Sequence, residues 1–216
     1  MFTIAMVNQK GGSGKSTLAE CLAVAACLDD KAAAILDMDP QGSAYKWSRR
    51  RQESNPPVES VTPANFADQW ERLKDAGADL VIFDTPARLS DHTTGPVELA
   101  DLVIIPTKTT IKDLERVKAS YDLVTKIADT PTFILINQAR PQGDRADQSV
   151  EFLSSMDFIV CPHSFGYRVA YEDADTTGQT PQETDSRGKA AAEIASVYQF
   201  TIKELKKLNK KGVNHA

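Results

Sequence analysis

A lysine followed by a hydroxyl residue at the end of a glycine-rich run is a pattern that binds polyphosphate. Here the run Asn8-Gln9-Lys10-Gly11-Gly12-Ser13-Gly14-Lys15-Ser16-Thr17 follows the apolar segment Phe2–Val7 and leads into an amphipathic stretch. That strand–loop–helix context separates a phosphate loop from a chance run of glycines. The glycines let successive backbone N–H groups of residues 11–17 turn onto phosphate oxygens, and the helix that follows adds the positive end of its dipole. Lys15 is spaced to reach the β- and γ-phosphates, and the Ser16 hydroxyl to ligate Mg²⁺, so ATP and Mg²⁺ are the expected cofactors. Two acidic motifs accompany the loop. Asp37 and Asp39 lie in Ile35-Leu36-Asp37-Met38-Asp39-Pro40-Gln41, and Asp84 lies in Leu80-Val81-Ile82-Phe83-Asp84-Thr85-Pro86. Taken singly, each aspartate also fits a helix N-cap or a turn.

The elements that would position these groups are legible as short apolar runs alternating with helical patterns. Strands are expected at Phe2–Val7, Ala33–Leu36, Leu80–Phe83, Leu102–Ile105 and Thr132–Ile136, with a short sixth around Phe158–Val160. The runs are continuously apolar, as for strands covered on both faces. Helices are expected over Ser16–Leu28, Ala44–Gln52, Ala64–Ala76, Ile111–Ala128, Ser149–Met156 and about Ser186–Asn209. The last continues as a basic helix to residue 211. This alternation predicts an α/β fold with a doubly wound, mainly parallel sheet. Ligands then sit outside the carboxyl ends of the strands, which brings Asp37, Asp39 and Asp84 to the phosphate loop. Pro56, Pro57 and Pro63 punctuate a loop too short to be a linker, so residues 1–216 read as one ATPase domain.

Composition bounds the function. The 216 residues are 41% hydrophobic and 25% charged, an ordinary globular mix, with a net charge of -5 that excludes a uniformly basic nucleic-acid coat. Cys21, Cys27 and Cys161 are too few and too scattered for a disulfide framework or a zinc site. They read as small buried hydrophobes in a reducing compartment. No apolar run approaches the ~20 residues of a membrane span. The phosphate loop begins too early for a secretory signal or an upstream helix-turn-helix domain, which makes the expected location cytoplasmic.

A standard phosphate loop has glycine five places before Gly14; here that place is Gln9, and a second lysine, Lys10, opens the loop. The segment Lys10–Ser16 resembles the deviant Walker A motif of the ParA/MinD family of dimeric ATPases. The resemblance implies that Lys10 reaches across an ATP-bound homodimer to the partner's nucleotide. A cation added in trans acts like an arginine finger and makes hydrolysis conditional on dimerisation. Asp84 is similar to the family's Walker B aspartate, holding Mg²⁺ through water. Asp37 and Asp39 match its Asp-x-Asp-Pro-Gln pattern, which implies that Asp39 orients the attacking water and Asp37 supports the metal shell. Catalytic roles thus fall to Lys10, Lys15 and Asp39. The segment Leu102–Pro106 followed by Asp113 also resembles small ParA proteins, and Asn137 ends a strand where the family places a residue contacting adenine. Many relatives carry a second proline after Pro86, where this sequence has Ala87 and Arg88.

The family divides by what the ATP-bound dimer binds. Between Lys203 and the end there are five lysines against Glu204 alone, and Lys203, Lys207 and Lys211 share one helical face with Lys206 and Lys210 beside them. Dimerisation doubles the stripe, which suits DNA binding without sequence preference through counterion release. Residues 212–216 offer no bulky apolar anchor for a bilayer. Arg168, Arg187 and Lys189 are further DNA candidates implied by the resemblance; Arg168 also fits an ion pair, and the lysines a merely solvated face. The reading is a nucleoid-associated ATPase that positions a cargo, foremost a plasmid, with a cargo-bound adaptor of ParB type triggering release. Two alternatives stay open: a MinD-like positioning ATPase recruited to membrane, and a metabolic ATP-dependent enzyme. A cluster-bearing reductase would need paired cysteines, and a ligase would need its own substrate pocket.

Overall fold

A computed structural model describes residues 1–87, 94–140 and 142–213, with side chains of the last segment described as far as residue 208. Arg88, residues 214–216 and the Lys210 and Lys211 side chains lie outside the described residues.

Six strands form one sheet: β1 (Phe2–Met6), β2 (Ala33–Asp37), β3 (Val58–Ser60), β4 (Leu80–Asp84), β5 (Leu102–Thr107) and β6 (Thr132–Ile136). Their order is β3-β2-β4-β1-β5-β6 and every pairing is parallel. Side chains alternate across the pleat, so one sequence serves two cores. Ile4, Met6, Ile35, Ile82 and Ile104 face α1 (Lys15–Leu28), α2 (Ser43–Ser48) and α9 (Lys189–Val213). Ala5, Val7, Leu36, Phe83 and Ile105 face α3 (Phe66–Asp75), α4 (Thr94–Leu99), α5 (Ile111–Ile127) and α6 (Arg145–Ser154). Burial on both faces is why the strands read as unbroken apolar runs.

Five strands stand where the sequence predicts them. The sixth expected strand, around Phe158–Val160, is only an isolated parallel bridge between Val160 and Ile134. Pro162 follows closely, and a residue without an N–H cannot extend the ladder. Instead β3, a three-residue edge strand just after Pro56 and Pro57, completes the sheet. The helix expected over Ala44–Gln52 ends at Ser48, where the chain is drawn onto other elements. Arg50 pairs with Asp175, and Arg51 donates to Glu183 and to the Gly178 carbonyl. The sequence reading also lacked α4, α7 (Val169–Asp175) and α8 (Pro181–Thr184), each of seven residues or fewer. Such lengths hold too few turns for a periodicity to show.

β1 is the point at which strand order reverses, with β2–β4 on one side and β5–β6 on the other. The crevice at its carboxyl end is where a doubly wound sheet binds ligands.

Candidate functional site

Register assembles the site. Asp84 is paired with Met6 of β1 and with Asp37 of β2, so the phosphate loop leaves the sheet directly beside two carboxylates. The loop closes on α1 through Gly14, whose φ of 91° is open to glycine and strained for other residues. A Cβ there would lie 2.1 Å from Nδ2 of Asn137. Asn137 is buried at the end of β6, and that amide donates to the Ser13 carbonyl at 2.7 Å. The residue expected to contact adenine therefore braces the phosphate loop. Lys15 is 7% exposed, and burial lowers its pKa against the pull of Asp84 and Asp39. A cation kept dry between carboxylates is preorganised for an anion.

Asp84 is fully buried, and among the described residues neither carboxylate oxygen has a hydrogen-bond partner within ordinary hydrogen-bond geometry. Burial raises its pKa to about 7; the Ser16 hydroxyl and Lys15 temper the rise, and Asp37 and Asp39 add to it. An orphaned, desolvated carboxylate beside a serine hydroxyl is a donor set that fits a hydrated divalent cation. Asp37 is different. One oxygen accepts from the Asp39 N–H at 3.0 Å and the other from the Tyr45 N–H at 2.9 Å. It shapes the loop that presents Asp39, half-buried and near enough to bias Lys15. Burial raises its pKa despite those N–H donors.

Lys10 stands outside this cradle. Its ammonium pairs with Asp113, a 5%-exposed carboxylate in the first turn of α5 that also accepts from the Thr110 hydroxyl. Burial works against the charge on Asp113, but Lys10 and Thr110 outweigh it and hold the pKa below the ordinary range. Asn8 fixes the base of the loop: its oxygen accepts from the Lys10 N–H at 2.7 Å and its amide donates to the Pro106 carbonyl. The sequence reading passed over Asn8, though an asparagine opening a glycine turn is a signal for this bond.

A family model described as the CobQ/CobB/MinD/ParA nucleotide binding domain matches residues 4–160. The chain belongs to this family. Across the whole fold, this ParA/MinD-type ATPase is 24% identical over 199 residues to "Maintenance of carboxysome distribution protein A" of Halothiobacillus neapolitanus, covering 89% of this chain and 92% of the relative. Solved structures share its fold. The MinC:MinD cell division complex of Aquifex aeolicus superposes with a TM-score of 0.76 at 15% identity, covering 94% of this chain and 96% of that one. An ATP complex of a McdA variant from Cyanothece superposes at 0.70 and 14% identity, covering 97% and 96%.

The basic residues of the ParA/MinD-type ATPase are dispersed. Arg168 precedes α7 and is committed to Glu193 of α9, a contact made through both Nε and Nη2. Arg187 and Lys189 lie at the start of α9, and Lys203 and Lys206 nearer its end, with Arg187, Lys203 and Lys206 all open to solvent. Lys207 pairs with Glu204 at 2.6 Å. The lysines near the end of α9 flank a groove of about 740 Å³ between α1 and α9, remote from the phosphate loop. Among the described residues no helix is long and apolar enough to cross a membrane, and no three or more His, Cys, Asp or Glu side chains converge as ligands for a metal ion. All three cysteines are free, and Cys21 and Cys161 are buried.

Proposed function

We propose that residues 1–216 work as one ATPase domain that closes into a homodimer on ATP, binds DNA without sequence preference in that state, and positions a cargo. The observation that carries this reading is the unequal placement of two lysines in one loop. Lys15 is buried among the site's carboxylates. Lys10, five residues earlier, is partly exposed and turned away toward Asp113. A cation on the rim is poor at neutralising its own nucleotide and well placed to serve a nucleotide presented by a second copy. Hydrolysis then depends on dimer closure, and the two nucleotide states supply the two affinities that a positioning cycle needs.

In this scheme Gly11, Gly12, Ser13, Gly14 and Thr17 cradle the phosphates and Asp39 orients water. Ser16 and Asp84 would hold Mg²⁺, with Asp37 supporting them; the ion, when bound, neutralises charge on the phosphoryl oxygens. Partial burial of Arg168 against Glu193 leaves Arg187, Lys189, Lys203 and Lys206 as the more available phosphate contacts, with Lys207 adding to the field. The adaptor is of ParB type, and the cargo a plasmid. The name of the 24%-identical relative supports a second cargo class, a large protein body.

The test is retention on nonspecific duplex DNA with ATP against ADP, beside anionic liposomes. Retention on DNA with ATP only is expected, and loss of that retention in Lys10→Ala. Preferential capture by liposomes would transfer the protein to the membrane-recruited class.

A further inference from the structure

Beside the phosphate loop lies a second cavity, of about 220 Å³, whose wall includes Gly14, Thr17, Glu20, Asn137, Tyr171 and Thr180. It opens next to Thr17, at the α1 side of the loop. Lys15, Asp84 and Lys10 mark the end where the β- and γ-phosphates belong, so a nucleotide seated on the loop directs its sugar and base into this cavity.

Two polar groups in that wall have no partner among the described residues. Glu20, one helical turn beyond Ser16 on α1, is 6% exposed and makes no hydrogen bond or ion pair with its side chain among those residues. Its neighbours do not compensate it. Asp84 of β4, Asp37 of β2 and Asp175 of α7 all repel its charge, and Arg50 alone opposes them while paired with Asp175. Burial and those carboxylates push the Glu20 pKa well above the ordinary value. The Tyr171 hydroxyl, from α7, is likewise buried and without a hydrogen bond. The Tyr171 ring stacks on Phe165 at 5.7 Å, so the hydroxyl is held in place. A fold gains nothing from a buried, uncompensated carboxyl. Groups of this kind find their partners in a ligand.

We propose that Glu20 and Tyr171 form the nucleoside-recognition pair of this protein, the Glu20 carboxyl accepting a hydrogen bond from a donor on the bound nucleotide's sugar or base. The inference rests on the phosphate loop holding ATP, and it assigns selectivity to a residue that the phosphate chemistry does not use. A nucleoside offers such donors in two places, the ribose 2′- and 3′-hydroxyls and the adenine 6-amino group. They are distinguished with 2′,3′-dideoxy-ATP and inosine triphosphate.

The experiment is calorimetric titration of wild type, Glu20→Ala, Glu20→Gln and Tyr171→Phe with ATP, the two analogues and tripolyphosphate. For wild type, one of the analogues is expected to bind about 10-fold more weakly than ATP, the loss of a hydrogen bond to a buried group. Glu20→Ala is expected to lose about the same factor for ATP, with no further loss for that analogue and unchanged affinity for tripolyphosphate. Glu20→Gln, which keeps an acceptor, restores most of the affinity. The nucleotide-free Glu20→Ala protein melts at or above the wild-type temperature. Equal losses for ATP, both analogues and tripolyphosphate would overturn the proposal, because the effect would then be structural. Wild-type affinity of Glu20→Ala for ATP would overturn it as well. Failure of wild type to bind ATP at all would instead defeat the ATPase reading on which it stands.

Discussion

The carboxyl ends of β1, β2 and β4 and the exposed face of α9 both carry charge, and they hold it in opposite ways. At the strand ends Asp37 and Asp84 are buried and paired by strand register, and Lys15 at the start of α1 is buried with them. On α9, Lys203 and Lys206 are exposed, and Lys207 meets only its helical neighbour Glu204 among the described residues. Buried charges without full compensation are expensive in a fold, so their positions imply a specific ligand. Exposed charges are cheap and screened, so they act through number and field rather than through geometry. Substitutions at the first region should therefore abolish a step, while those at the second should dilute a property.

The largest effect is expected at the junction of the two styles, Lys10. Lys10→Ala should bind ATP with affinity within about 2-fold of wild type, because Lys15 is untouched. Turnover should fall by roughly 10³-fold if the lysine acts as a cation in trans. Steady-state hydrolysis and ATP titration, taken together, read this out; equal turnover would remove the trans role. Next comes Lys15→Ala, which should weaken nucleotide binding on the order of 100-fold, since it strands buried carboxylates against phosphate. Retained affinity would mean that the loop backbone alone does the binding.

A smaller, continuous effect follows from Asp84, whose pKa lies at about 7 in the nucleotide-free site. Below that pH a proton must leave before a divalent cation binds. Mg²⁺-dependent nucleotide affinity should rise about tenfold per pH unit up to about 7 and flatten above it. Stability runs the other way. A carboxyl whose folded value exceeds its unfolded one lets the folded state hold the extra proton. The Asp84 contribution is then present at low pH and lost as pH rises from the ordinary carboxylate range through about 7. Asp84→Asn should flatten that part of the melting-temperature profile and leave the part due to Glu20.

The smallest effects per residue belong to α9. Replacing Lys203, Lys206 and Lys207 by alanine should reduce the salt slope of DNA binding by about 0.9 per lysine, at every sequence alike. An unchanged slope would return that face to solvation alone.

The same contrast explains what was legible in advance. The phosphate loop, Asp37, Asp39 and Asp84 were readable because residue type, spacing and strand-end position all point one way. The sheet was readable because both of its faces are buried. Glu20 was not: a glutamate within a helical pattern looks like a solvated residue, and only packing from α7 and β4 turns it into an orphan. Asp113 carried a family likeness without a role, since its pairing with Lys10 joins residues far apart in sequence. Asn137 was legible as a polar strand terminus, but its hold on Ser13 depends on β6 standing beside the loop. The short α7 and α8, which roof the second cavity, lack the turns that reveal a helix, and the Arg51–Glu183 pair that holds α8 against the chain after α2 joins residues far apart in sequence.

Closure of two copies on ATP through the rim lysine is the step on which every other depends. It is read by light scattering of Asp39→Ala, in which hydrolysis is expected to be suppressed, in saturating ATP and Mg²⁺. Twice the monomer mass is expected with ATP, the monomer mass with ADP, and the monomer mass with ATP when Lys10→Ala is added. A monomer under all three conditions, with ATP shown to be bound, would rule out closure.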